Sequence, residues 1–285
     1  MTPFSPSALE TLRAAYPERP TLLRHDLCGH ELLGLEALIA LAQRMRPVDV
    51  EYNRADLPVG VDPAQTPSNG LSITETIRSI EENGSWMVLK FVEQDPIYRA
   101  LLHDTLAALT PVVDPATGAM LKQEGFIFIS SPNAVTPFHF DPEHNILLQI
   151  RGEKVMNVFP AGDEAVAPAS LHEAFHAGGH RNLPWNEAFA AKGTAFPLTP
   201  GDGLYVPVKA PHWVKNGGEV SISFSITWRS EWSFHEEYAH GCNRMLRSLG
   251  LKPAPPRRYP DDNRLKSTAY RAVRRAERVV KGGRP

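Results

Sequence analysis

The sequence predicts a mainly β core, built as a sandwich or barrel, with helices flanking it at both ends. Three observations carry this. From residue 126 to residue 228, short β-like runs follow one another: Phe126 to Ser130, Thr136 to Asp141, Ile146 to Ile150, Lys154 to Phe159, Gly203 to Val206, Trp213 to Lys215 and Ser221 to Trp228. Glycine-bearing turns at Arg151-Gly152, Gly201-Asp202-Gly203 and Asn216-Gly217-Gly218 separate several of them, where positive φ comes without steric cost. On either side of this region, apolar residues recur at helical rather than strand spacing. An apolar fraction of 42% over 285 residues is ample for a buried core.

Taken in order, Ser7 to Ala15 reads as a short helix, and Leu32 to Met45 as a second with Leu33, Leu35, Leu38, Ile39 and Leu41 on its apolar face. The prolines and glycines between Val48 and Leu71, including Leu57-Pro58-Val59-Gly60, predict a long irregular connection. Ser72 or Thr74 caps a helix, Ser85 to Val92 is a buried strand, and Asp95-Pro96 opens a helix reaching about Leu109. Within the β region, Ala161 to Lys192 is a helical and loop insert. His172, His176 and His180 recur there every four residues, but Gly178-Gly179 argues for a substrate-side loop or a surface histidine patch. Trp232 to Leu249 is helical, Lys252 to Pro260 a proline-rich link, and Leu265 to Val280 a basic helix with Leu265, Ala269, Ala272, Val273, Ala276 and Val280 on its buried side. The organisation expected is a flanking region over 1–120, a core over 121–230 and C-terminal helices over 231–285.

The formal net charge of -2 hides an asymmetry, because Arg and Lys crowd the end of the chain. That end lacks any nucleic-acid-reading motif, so nucleic acid is not the favoured partner; docking on the acidic body or on a second subunit, as a homodimer, is the stronger reading. Cys28 and Cys242 are the only cysteines, too few for a disulfide framework or a thiolate zinc cluster, which fits a reducing, cytoplasmic setting. No apolar stretch is long enough to cross a bilayer, and no basic region followed by an apolar run opens the chain.

Chemistry concentrates in Thr136-Pro137-Phe138-His139-Phe140-Asp141-Pro142-Glu143-His144-Asn145. Side chains two apart on a strand share a face, so His139 and Asp141 can meet one metal ion while Phe138 and Phe140 face the other way. Far downstream, Gly201 to Pro207 leads through a turn to Pro211-His212-Trp213 and a second imidazole. Two imidazoles and one carboxylate with open positions form the facial triad of non-haem Fe(II) sites. Alone, a His-x-Asp pair is common. Near it, His144 reads as a rim residue or a donor behind the ligands, Glu143 and Arg151 as solvated strand-end charges, and Trp213 as a wall residue.

These motifs, with Gln149-Ile150-Arg151-Gly152-Glu153-Lys154 and Phe159-Pro160, resemble those of the JmjC and cupin-like oxygenases, and most closely their asparaginyl hydroxylases. The resemblance covers about Phe126 to Trp228. It implies a double-stranded β-helix, or jelly roll, with His139, Asp141 and His212 holding Fe(II). It also implies that Thr136, Asn145 and Lys154 surround 2-oxoglutarate as cosubstrate, Lys154 meeting its far carboxylate. The chain departs from the family where an asparagine is expected after the second histidine: Ser221 to Trp228 offers small hydroxyls, of which Ser223 or Ser225 could substitute. Phe126 and Phe128 lie where the family carries a tyrosine. The function implied is a hydroxylase of a protein side chain or small molecule. The departures keep two others open, a metal-containing binding or regulatory module and a cupin enzyme independent of 2-oxoglutarate.

Overall fold

Alternation along the central strands sends apolar side chains to two different cores, and so fixes the layering. The computed structural model of the chain describes residues 2–55, 59–60 and 69–280; Leu57 and Pro58 of the irregular connection lie outside the described residues. The elements run α1 (Pro6–Ala15), β1 (Thr21–Arg24), α2 (Leu35–Arg44), β2 (Val50–Arg54), α3 (Ile73–Arg78), β3 (Ser85–Lys90), α4 (Pro96–Ala107) and α5 (Thr110–Thr117). There follow β4 (Leu121–Ser130), β5 (Val135–His139), β6 (His144–Arg151), β7 (Lys154–Val158), α6 (Ala169–Phe175) and β8 (Thr194–Leu198). The last are β9 (Asp202–Val206), β10 (His212–Asn216), β11 (Ser221–Arg229), α7 (Glu231–Ser248) and α8 (Arg264–Val280).

Seven strands form one antiparallel sheet in the order β1-β9-β6-β11-β4-β3-β2, and four form a second in the order β5-β10-β7-β8. The two face each other as the double-stranded β-helix that the resemblance implies, with β1, β2 and β3 extending the larger sheet at its edges. Ile146, Leu148, Phe224 and Ile226 point outward into the main core, shared with Leu38, Leu41, Leu102 and Leu106 of the helices. Leu147, Met156, Leu204 and Val214 point inward between the sheets. Because both faces of β11 are covered, all its residues are buried, and those that face inward include Ser223 and Ser225.

Local chemistry explains the element ends. Ser72 and Glu75 complete a reciprocal capping box at α3, and Asp95 caps α4 through the amides of Ile97 and Tyr98 with Pro96 in the first turn. Several expectations are corrected. Val50 to Arg54 pairs with β3 as a strand, although its neighbours predict irregular chain. Thr194 to Leu198 is a strand that Pro197 obscures in the sequence; proline is tolerated because β8 is an edge strand paired with β7 alone. The apolar side expected to be buried on α8 is exposed where it is described: Leu265 is 87% exposed and Ala269, Ala272, Val273 and Ala276 are open too, while the Val280 side chain lies outside the described residues. The helix docks instead through Ser267 and through Tyr270, which lies against Gly241 of α7, a face about 150° from the apolar one at 100° per residue. Among the described residues no helix is long and apolar enough to cross a membrane.

Candidate metal centre

Strand pairing brings the two histidines together. β10 runs antiparallel to β5 with His212 opposite His139, and the ring centroids stand 4.2 Å apart. Asp141 lies two residues beyond the end of β5, just before the bend at residues 142–143 that leads into β6. Donor atoms of His139, Asp141 and His212 all lie within 4.8 Å of one another. His139 Nδ1 donates to the Pro137 carbonyl at 2.7 Å, and His212 Nδ1 donates to the Ala210 carbonyl at 2.9 Å. Because a carbonyl can only accept, both rings carry their proton on Nδ1 and present an Nε2 lone pair to the shared space. Burial, then the neighbouring His212, pushes His139 down to about 3, and burial lowers His212 as well, so both are neutral ligand-ready imidazoles.

Asp141 is oriented from three sides. Its Oδ1 accepts from Arg181 at 2.6 Å, its Oδ2 lies 3.6 Å from His212 Nε2 and 3.4 Å from Asn145 Nδ2, and its backbone carbonyl accepts from the Lys209 amide at 2.7 Å. Burial by itself would raise this carboxyl, but Arg181 and the two imidazoles hold it below the usual carboxylate range. Two neutral nitrogen lone pairs and an ionised oxygen converging from one side fit a divalent first-row metal with open positions opposite.

The three donors line a cavity of about 570 Å³, also bordered by Thr136, Asn145, Lys154 and Ser225. Lys154, Met156 and Val158 share the inward face of β7, and Lys154 is only 6% exposed. Burial alone pushes its ammonium down to about 7; among the described residues no carboxylate forms an ion pair with it. A buried cation of this kind beside a metal site asks for an anion. Ser225 Oγ donates to Asn145 Oδ1 at 2.8 Å, which leaves the Asn145 amide nitrogen facing Asp141. Ser223 instead donates to Gln149 Oε1 at 2.7 Å. Phe126 and Phe128 stand in the cavity wall.

Other residues sit where the sequence did not put them. His144 is fully buried away from the cavity, stacked on Trp228 at 5.3 Å and hydrogen-bonded to Tyr205 and Ser230; its place on β6 turns it into the helix-side core. Glu143 lines the cavity, where burial and then Asp141 push its carboxyl up to about 7. His180 borders the cavity, whereas His172 and His176 pack beside His240 of α7. Arg181 escaped the sequence reading because the insert has no periodicity. It reaches Asp141 because residues 181–183 run along β5, with Phe140 N–H donating to the Arg181 carbonyl and Leu183 N–H to that of Phe138.

Comparison with known proteins agrees with this architecture. Residues 117–236 match the family model described as JmjC domain. Jumonji C domain-containing protein 5 of Drosophila melanogaster is 30% identical over 112 residues, which make up 35% of this chain and 26% of that protein. The X-ray structure of E. coli ycfD superposes on 93% of this chain and 66% of its own length at 16% identity, with a TM-score of 0.50. A structure of YcfD described as a ribosomal oxygenase from Escherichia coli in complex with cobalt and 2-oxoglutarate gives 16% identity, 94% and 65% coverage and a TM-score of 0.49. The chain thus spans about a quarter of the curated relative and just under two thirds of these structures. The His-Asp-His cluster lies within residues 117–236, the stretch of this chain that is similar to the JmjC domain family.

Proposed function

We propose that this chain is an Fe(II)- and 2-oxoglutarate-dependent oxygenase that hydroxylates a protein side chain or a small molecule. The observation that carries the reading is the pairing of the His139, Asp141 and His212 donor set with Lys154, a buried cation without a carboxylate partner among the described residues, in one cavity. His139, Asp141 and His212 hold the metal, their orientation set by the Pro137 and Ala210 carbonyls and by Arg181. Lys154 supplies the countercharge for the far carboxylate of the cosubstrate, and Thr136 and the Asn145 amide, fixed by Ser225, line its flank. Phe126, Phe128, Leu147 and Met156 keep that pocket dry. Iron, when bound with 2-oxoglutarate and dioxygen, supplies the oxidising power for C–H hydroxylation. Glu143, His180 and Arg181 stand on the cavity lining beside the donors, where a substrate would approach.

The test is turnover of 2-oxoglutarate to succinate by the purified protein with Fe(II) in air. Asp141→Ala is expected to abolish it, and an unchanged rate in that variant would overturn the reading. The exposed apolar side of α8 supports a second copy of the chain as a partner. Sedimentation of the wild type against Leu265→Glu reads this directly, a dimer being expected only in the former.

A further inference from the structure

Two of the three donor residues hang on one turn. Between β9 and β10, the Lys209 amide donates to the Asp141 carbonyl at 2.7 Å, and one residue later the Ala210 carbonyl receives the His212 Nδ1 proton at 2.9 Å. A shift of this turn therefore moves a carboxylate and an imidazole relative to His139. The turn is not at rest in an ordinary conformation: Lys209 has φ 59, in the left-handed region that side chains other than glycine rarely occupy.

The Lys209 side chain leaves the turn for the interior and is 2% exposed. Its Nζ donates to Glu236 Oε2 of α7 at 2.6 Å, and the other Glu236 oxygen accepts from His240 Nε2, one helical turn on, at 2.9 Å. All three side chains are buried. A buried ion pair adds little net stability compared with apolar side chains of the same volume; what it adds is direction, since the charged hydrogen bond is satisfied in one geometry only. His240 completes that geometry by fixing the Glu236 carboxylate plane.

We infer that the Lys209–Glu236–His240 chain is the positioning device of the metal centre, locking the turn that sets Asp141 and His212 to the helix behind the sheet. These are positioning residues: none of them belongs to the donor set. The inference rests on the reading of His139, Asp141 and His212 as a metal site, and its test separates the two. The full-length protein is titrated with Co(II), followed by visible absorption, alongside Asp141→Ala, Glu236→Gln and the double variant Lys209→Met/Glu236→Leu. The wild type is expected to bind one equivalent and Asp141→Ala none. The double variant, with an apolar pair in place of the ionic one, is expected to melt within a few degrees of the wild type yet to bind Co(II) at least about tenfold more weakly with an altered spectrum. Wild-type affinity and spectrum in a folded double variant would overturn the positioning role. Should that variant fail to fold, Glu236→Gln carries the test, because it keeps the volume but removes the charge and puts an NH2 donor in place of one of the two oxygens that accept from Lys209 and His240; wild-type affinity there overturns the role equally. Absence of Co(II) binding by the wild type would instead overturn the metal site, and the positioning role with it.

Discussion

Lys154 holds a charge that the fold leaves uncompensated, and the consequence is measurable. With its ammonium pushed down to about 7 by burial, a growing share of the side chain is neutral above that pH. An anion placed beside it favours the charged form and raises its pKa. Binding of 2-oxoglutarate above pH 7 is therefore expected to take up a proton, and affinity to fall by up to about tenfold per pH unit as pH rises from there. Calorimetry at pH 8 in buffers of different ionisation enthalpy counts that proton; a count of zero would remove Lys154 as the anion partner, and Lys154→Met is expected to lose the pH dependence together with most of the affinity. Arg181 orients Asp141: it occupies Oδ1, and the other carboxylate oxygen faces His212 Nε2, where the proposed metal would sit. Arg181→Ala is expected to weaken Co(II) binding by about 10–100-fold, and unchanged affinity would show that Asp141 is oriented without it.

At the scale of elements, the site depends on a hairpin and on one strand's alternation. Gly152 joins β6 to β7 with φ 68, and a Cβ there would stand 2.4 Å from the Val220 carbonyl oxygen, so neither conformation nor space allows another residue. Gly152→Ala is expected to lower unfolding stability by about 1–3 kcal/mol in urea titration. Cosubstrate affinity is expected to fall too, since the hairpin sets Lys154 relative to Asn145. β11 shows why the missing asparagine does not leave a hole. Its outward residues, Phe224 and Ile226, build the helix-side core, while inward Ser225 hands its hydrogen bond to Asn145 on the neighbouring strand.

At the scale of the molecule, α1, α2, α4 and α5 cover the outer face of the larger sheet, and α7 reaches the turn that carries Lys209. Among the described residues none of α8 lines the cavity, and the helix rests on α7 through Tyr270 against Gly241. A chain ending after Asp262 is expected to keep its Co(II) affinity within about twofold, as for distant, independent sites; a larger loss would tie α8 to the site. The six Lys and Arg residues and single Glu of α8 make any self-association through this helix sensitive to salt, because like charges would be brought together.

Most strands of the core, the helix starts at Ser72 or Thr74 and at Asp95, and the grouping of His139 with Asp141 are legible in the sequence, because those features are written in residues close together along the chain. Periodicity and turn chemistry act over a few residues, and there the reading is direct. Only in the folded chain do the register that sets His212 opposite His139, the arrival of Arg181 from a segment without a pattern, and the burial of His144 in the opposite core appear. Tertiary structure also decided which side of α8 is covered: amphipathicity marks an apolar face, but the ring of Tyr270 fitting over a glycine of α7 chose another. Such contacts depend on shapes and charges brought together from distant parts of the chain, which no local pattern encodes.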